Sequence, residues 1–342
     1  MKQDAPHRPA PLRAGLVGLG AMGRNHARIL SGLDGVDLVG VVDPAGDVHG
    51  AGFGVPVLDS VAELVSTGID YAVIACPTAL HEPVGLELAD AGVAVLIEKP
   101  LAHTPEAAAR LVDAFGSRSL VAGVGHIERF NPSLQQLRTR LAQGELGEVY
   151  QVVTRRQGPF PSRIADVGVV KDLATHDIDL TAWVTGRRYV SVSARTVTKS
   201  GRPHEDMVAA LGVLDGGIMV SHLVNWLSPY KQRSTVVTGE RGAFEADTLT
   251  ADLTFYANGV AATEWEAIRA FRGVSEGDMT RYAIAKREPL LVEHENFRDA
   301  MLDSSLVDAL DAGIVTLAEG LRTVEVAAAM LESAQSGQTL AL

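Results

Sequence analysis

The feature that most constrains this chain lies near its start: the apolar run Ala14-Gly15-Leu16-Val17 passes directly into Gly18-Leu19-Gly20-Ala21-Met22-Gly23 and then into residues with helical spacing. A strand that ends in a glycine-rich turn and feeds a helix belongs in a parallel sheet, because the chain must cross over before adding its next strand. The alternation continues downstream. Residues 36–42, 69–75, 93–97 and 120–124 read as buried strands rich in Val and Ile, with helices at 22–31, 61–66, 82–91 and 104–115 between them. The last helix opens with Thr104-Pro105-Glu106, which supplies an N-cap, a first-turn proline and a charge suited to the helix dipole. The expectation is an α/β fold beginning with a doubly wound parallel sheet over residues 13–125.

Beyond residue 126 the rhythm changes. A helix at 132–143 leads into longer segments with period-2 alternation at 189–197, 207–214 and 218–227, and Asp215-Gly216 and Asn258-Gly259 are dipeptides that tight hairpins prefer. Residues 126–342 therefore read as a C-terminal α+β domain on a large, mainly antiparallel open sheet, ending in a helix at 318–333. In the 218–227 segment both faces are apolar, so covering the second face by a homodimer or homotetramer is expected. Residues 1–12, with three prolines and no apolar core, read as a flexible leader.

The glycine pattern gains meaning from its surroundings. Asp43 ends the next strand about 20 residues after the last glycine, the spacing at which a Rossmann dinucleotide fold places the acid that accepts the ribose hydroxyls. Gly18 allows the tight turn, Gly20 lets a pyrophosphate approach the backbone, and Gly23 permits close helix–strand packing, with the phosphates at the helix N-terminus. A carboxylate at Asp43 repels a 2′-phosphate, and Pro44-Ala45-Gly46 offers no arginine to offset it, so NAD is expected rather than NADP. Lys99 in Glu98-Lys99-Pro100 falls at the carboxyl end of a strand, where ligands of such sheets bind. Asp172, His176 and Asp179 are spaced to share one helical face, so either acid could orient the imidazole.

Composition removes other classes. With 30 Lys and Arg against 42 Asp and Glu, the net charge is −12, which opposes binding to nucleic acid or an anionic membrane. No apolar run approaches the ~18 residues of a membrane span. The one cysteine, Cys76, excludes an intramolecular disulfide and a thiolate zinc cage, so no metal and a cytoplasmic setting are expected.

Taken together, GLGAMG, ACPTALH at residues 75–81, EKP at 98–100 and DLATHDID at 172–179 resemble the Gfo/Idh/MocA family of NAD(P)-dependent sugar and polyol oxidoreductases. GHIERFNP at 125–132 and GPFPSRIADVGVVKDLATHDID at 158–179 resemble its branch that oxidises C3 of UDP-N-acetylglucosamine. The resemblance implies catalytic roles for Lys99 and His176, with Asp172 as partner, and leaves open which of the first two takes the proton. It implies a cis bond before Pro100. It also implies cofactor contacts along Gly18, Leu19, Gly20, Ala21, Met22, Gly23, Asp43, Cys76, Pro77, Thr78, His81, Glu98 and Lys99. A nucleotide sugar brings a diphosphate, for which Arg163, Arg156 and Arg155 are candidates; Glu128, Asn131 and Tyr150 are further substrate candidates. Arg155 and Arg156 are adjacent, so in a strand only one can face a pocket. Alternative readings are a 3-ketoreductase of a nucleotide-linked deoxysugar, an inositol or free-sugar dehydrogenase, and a non-catalytic NAD-sensing regulator.

Overall fold

The computed structural model describes residues 10–161, 167–259, 276–306 and 313–342. The chain divides into two compact units, Met1–His126 with Leu290–Arg322, and Ile127–Pro289 with Thr323–Leu342. Residues 290–322, expected in the second domain, thus pack with the first. The leader expected at 1–12 falls mostly outside the described residues, and Leu12 already belongs to the first strand.

In the first unit, strands β1 (Leu12–Val17), β2 (Val36–Val42), β3 (Val57–Leu58), β4 (Tyr71–Ile74), β5 (Ala94–Glu98) and β6 (Ala122–Gly125) form a parallel sheet in the order β3-β2-β1-β4-β5-β6. That is the doubly wound order, whose direction reverses between β1 and β4, and ligands of such sheets bind outside the strand ends at that reversal. Helices α1 (Ala21–Leu30), α2 (Val61–Ser66), α3 (His81–Asp90) and α4 (Pro105–Gly116) connect the strands. Thr104 Oγ1 accepts from Ala107 N–H, as the sequence implied, a cap that contributes about 1 kcal/mol. Leu16, Leu30, Tyr71 and Val73 are fully buried in the core beside Phe297, from a helix over residues 289–302. Gly123 bridges Thr316, joining the end of the chain to β6.

The second unit carries helix α5 (Pro132–Ala142), strand β7 (Val149–Pro159), one π-helical turn at Val170–Ala174 and helix α6 (Thr175–Thr185). Strands β8 (Tyr189–Val197), β9 (Met207–Leu214), β10 (Met219–Asn225), β11 (Leu227–Gly239), β12 (Gly242–Asp247), β13 (Asp252–Asn258) and β14 (Glu276–Arg281) follow. Helices α7 (Pro289–Leu302) and α8 (Leu317–Ser336) and strand β15 (Leu340–Ala341) complete the chain. The described strands make one sheet in the order β14-β13-β12-β11-β7-β10-β9-β8-β15, antiparallel except where β10 runs parallel to β7. Period 2 sends Val152, Val208, Val220, Val224 and Val237 into a core with Ile178, Leu180 and Met330. The opposite face exposes Val190, Leu211, Met219, Tyr256 and Met279 at 42–66%. Asp215-Gly216 does turn β9 into β10, with Gly216 at φ 79°. Asn258-Gly259 is not a two-residue hairpin, because Asn258 pairs with Glu276.

Candidate active site

The glycine loop meets three different backbone demands. Gly18 has φ +99°, and a Cβ there would lie 2.7 Å from the carbonyl oxygen of Ala75. On Gly23 a Cβ would fall 1.9 Å from the Gly18 oxygen, so only glycine lets α1 pack so close. Gly20 is the opposite case: a Cβ there would meet nothing within 4 Å, and this open position caps α1, whose first turn carries no acidic residue. An unobstructed helix N-terminus with exposed backbone is what a pyrophosphate requires. Asp43 is tied to the same loop, its Oδ2 accepting from Leu19 N–H at 2.7 Å and its Oδ1 from Ala45 N–H at 2.8 Å. Each oxygen keeps a lone pair for a ribose hydroxyl.

The remaining candidates of this unit are linked to that loop through the main chain. Gly18 abuts Ala75 and Cys76, and His81 lies within 3.0 Å of two carbonyl oxygens, those of Cys76 and Pro100, through its two ring nitrogens. His81 is 1% exposed, so it sits between two loops rather than facing solvent. Burial pushes the Cys76 thiol up to about 11, which keeps it protonated and unreactive at neutral pH. Lys99 follows β5, is partly buried, and precedes Pro100 through a cis peptide bond. Its main-chain N–H donates to Glu98 Oε2 at 3.0 Å, and the Glu98 carboxylate is buried.

In the second unit, Asp172 sits in the π-helical turn and His176 in the first turn of α6, both buried. The spacing placed Asp172, His176 and Asp179 on one continuous α-helical face; the π turn changes that register, and Asp179 is committed elsewhere. Both its oxygens accept from Arg129, at 2.6 and 2.8 Å. Glu205, absent from the sequence candidates, holds the start of this turn: its Oε1 accepts from Val170 N–H, and its main-chain oxygen from Val169 N–H, each at 3.0 Å. A Cβ on Gly168 would strike the Glu205 carboxyl at 2.1 Å, so the glycine makes room for the acid. Gly168 was the one sequence signal that could have pointed to a neighbour there.

Several substrate candidates are engaged within the protein. Arg156 faces inward from β7 and is 2% exposed, bonded to Glu128 at 2.7 Å and Asp177 at 2.9 Å. Burial alone would lower the affinity of Arg156 for its proton, but the two carboxylates outweigh it and the net shift is upward. Arg156 and Glu128 are thus paired with each other in the interior. Asn131 caps α5, accepting from Ser133 N–H and donating to the Thr248 oxygen. Arg155 and Tyr150 are exposed, Arg155 from the other side of β7, and Arg163 lies outside the described residues. Sequence reasoning missed Arg233 on β11, directly across from Arg156 and 3.5 Å from Glu128, with 34% of its side chain exposed.

A reversal of strand order at an open helix N-terminus, a carboxylate at the end of β2 and a lysine at the end of β5 define an NAD-binding oxidoreductase. Residues 12–126 match the oxidoreductase family with the NAD-binding Rossmann fold, and residues 134–245 match the Gfo/Idh/MocA C-terminal domain. The chain belongs to the Gfo/Idh/MocA family. UDP-N-acetylglucosamine 3-dehydrogenase of Acidithiobacillus ferrooxidans is 30% identical over 294 residues, covering 85% of this chain and 88% of the relative. Its solved structure superposes with a TM-score of 0.82 over 96% of this chain and 99% of that one. Inositol 2-dehydrogenase 2 of Saccharopolyspora erythraea is 31% identical over 57% of this chain and 60% of its own. The solved structure of GenD2 from gentamicin A biosynthesis, in complex with NAD, has a TM-score of 0.76 at 26% identity, covering 98% of this chain and 97% of that one. The homologues act on sugar-type alcohols, and this chain is an NAD-binding oxidoreductase acting on CH–OH. Among the described residues no helix is long and apolar enough to cross a membrane.

Proposed function

We propose that this enzyme oxidises the C3 hydroxyl of a nucleotide sugar of the UDP-N-acetylglucosamine type to the 3-keto sugar, on the route to an amino sugar. The supporting observation is coverage: similarity to the UDP-N-acetylglucosamine 3-dehydrogenase runs through 85% of the chain, whereas the inositol dehydrogenase named above matches over 57%. When bound, NAD supplies the hydride acceptor. Oxidation of a secondary alcohol requires the hydroxyl proton to leave as the hydride does, and a group within hydrogen-bond reach stabilises that transition state. His176 accepts the proton at a ring nitrogen, the Lys99 ammonium stabilises the developing alkoxide, and Asp172 orients the imidazole or a sugar hydroxyl. Arg163 contacts the diphosphate.

The test is a substrate panel. Purified enzyme with NAD should reduce the cofactor, followed by absorbance, with UDP-N-acetylglucosamine and not with glucose; reduction with myo-inositol alone would defeat the assignment. Oxidising an alcohol with NAD is uphill, so a coupled aminotransferase that draws off the ketone should raise the signal.

We also propose that the enzyme works in the cytoplasm as a homodimer or homotetramer. The apolar outer face carrying Leu211, Met219 and Met279 supports this reading. Light scattering should return a multiple of the 36.1 kDa chain, and a monomeric mass would refute it.

A further inference from the structure

Behind Lys99 the first unit buries four ionisable side chains that the proposed chemistry does not use directly: His26, Glu98, Glu293 and His294, at 0, 7, 2 and 1% exposure. Three form a continuous chain. His26 Nε2 lies 2.8 Å from Glu98 Oε1, and His26 Nδ1 lies 2.8 Å from His294 Nε2. The other Glu98 oxygen accepts the main-chain N–H of Lys99 at 3.0 Å. Space for this carboxylate comes from Gly125, where a Cβ would sit 3.3 Å from the Glu98 carboxyl carbon.

With His26 neutral, the chain permits one order of protons. Burial pushes the Glu98 carboxyl up, but the His26 hydrogen bond and then the Lys99 charge and amide outweigh it, and the net shift is downward. An ionised carboxylate only accepts, so His26 must donate through Nε2. Its Nδ1 is then a lone pair, and His294 must donate through its own Nε2. His294 is left with a bare Nδ1, and that atom is buried without a hydrogen-bond partner. Burial holds the His294 imidazole well below its ordinary value, which keeps that bare nitrogen unprotonated. Glu293, whose two oxygens are also without partners, is pushed well up by burial and by Glu98, so it stays neutral. One negative charge remains, on Glu98. It is gripped at one oxygen by an imidazole and at the other by the amide of the residue that carries the lysine side chain.

We propose that His26 and His294 are positioning residues for the oxidation: a buried imidazole pair with a fixed proton order that locks the Glu98 carboxylate and, through it, the main chain of Lys99. The inference rests on Lys99 acting on the substrate. A lysine on four rotatable bonds gains precision only if its backbone is held, and a displacement of about 1 Å at a reacting group costs roughly 100-fold in rate.

Two readouts separate this inference from the function it rests on. In long-range nitrogen–proton spectra of the whole enzyme with labelled imidazoles, near pH 7.5, His26 and His294 should both show the Nε2–H tautomer, assigned from His26→Gln and His294→Gln. An Nδ1–H tautomer or an imidazolium at either position would overturn the proton order whether or not a substrate is turned over. In the assay with UDP-N-acetylglucosamine, His26→Phe should lower kcat about 10- to 100-fold while the KM for NAD changes by less than about threefold. His26→Gln, which keeps a donor toward Glu98, should recover most of the loss. Equal activities for the Phe and Gln variants would refute positioning. If His26→Phe fails to fold, His294→Leu against His294→Gln is read in the same way.

Discussion

Lys99→Ala and His176→Ala are each expected to lower kcat by roughly 10²–10⁴-fold, the range over which a positioned acid or base accelerates a proton-coupled step. NAD affinity, measured by fluorescence titration, should stay near that of the parent in both. Asp43→Ala is the converse case. It removes the acceptor proposed for two ribose hydroxyls, and with charged hydrogen bonds contributing about 1.5–3 kcal/mol each it should weaken NAD binding at least about tenfold. Its effect on kcat at saturating NAD should be smaller. Full activity in the lysine or histidine variant would remove that residue from the chemistry, and unchanged NAD affinity in Asp43→Ala would remove the basis for a preference over NADP.

Arg156→Met is expected to have the largest effect on stability. The guanidinium is enclosed by Glu128 at 2.7 Å and Asp177 at 2.9 Å, with Arg156 and Asp177 each 2% exposed. Removing it leaves two buried carboxylates with only the more distant Arg233, and stranding a buried charge costs about 3–5 kcal/mol. The pH dependence has a definite sign. In the parent, burial pushes the Glu128 carboxyl up but Arg156 outweighs it, and the net shift is downward. That contribution is therefore present above the ordinary carboxylate range and is lost as pH falls through the folded value. Without Arg156, Glu128 rises, Asp177, which burial already holds above its ordinary value in the parent, rises further, and their protonated forms become tolerable at mildly acidic pH. The stability gap between parent and variant, from denaturant midpoints, should be widest near neutrality and narrow as pH falls toward about 5. A gap independent of pH would mean that packing of the arginine stem, not charge, dominates.

The parts of the site that were legible in the sequence are those set by local backbone rules. Gly18, Gly20 and Gly23 each answer a demand made within a few residues, and Asp43 and Lys99 follow from where a strand must end. The parts that were not legible depend on partners far along the chain. Arg156 read as a substrate arginine because Glu128 and Asp177, 28 and 21 residues away, bear no sequence mark of pairing with it. The run from 172 to 179 read as one α-helix because nothing in its periodicity announces a π turn, and the turn is held by Glu205, 35 residues from Val170. His294 is 268 residues from His26, and the segment carrying it packs with the first unit. Alternation and turn chemistry identified the second sheet. They did not reveal that β10 lies parallel to β7, since a side-chain pattern of period 2 is the same in either direction.

His81 stands 3.0 Å from two carbonyl oxygens and is buried, and burial pushes its imidazole down toward the neutral form despite those acceptors. A neutral ring owns one N–H. At any instant it can bond the Cys76 loop or the Pro100 loop, and the other carbonyl faces a lone pair across the same gap. Two segments, one abutting Gly18 and one following the lysine, thus compete for a single hydrogen, and a tautomer exchange transfers the attachment from one to the other without displacing a heavy atom.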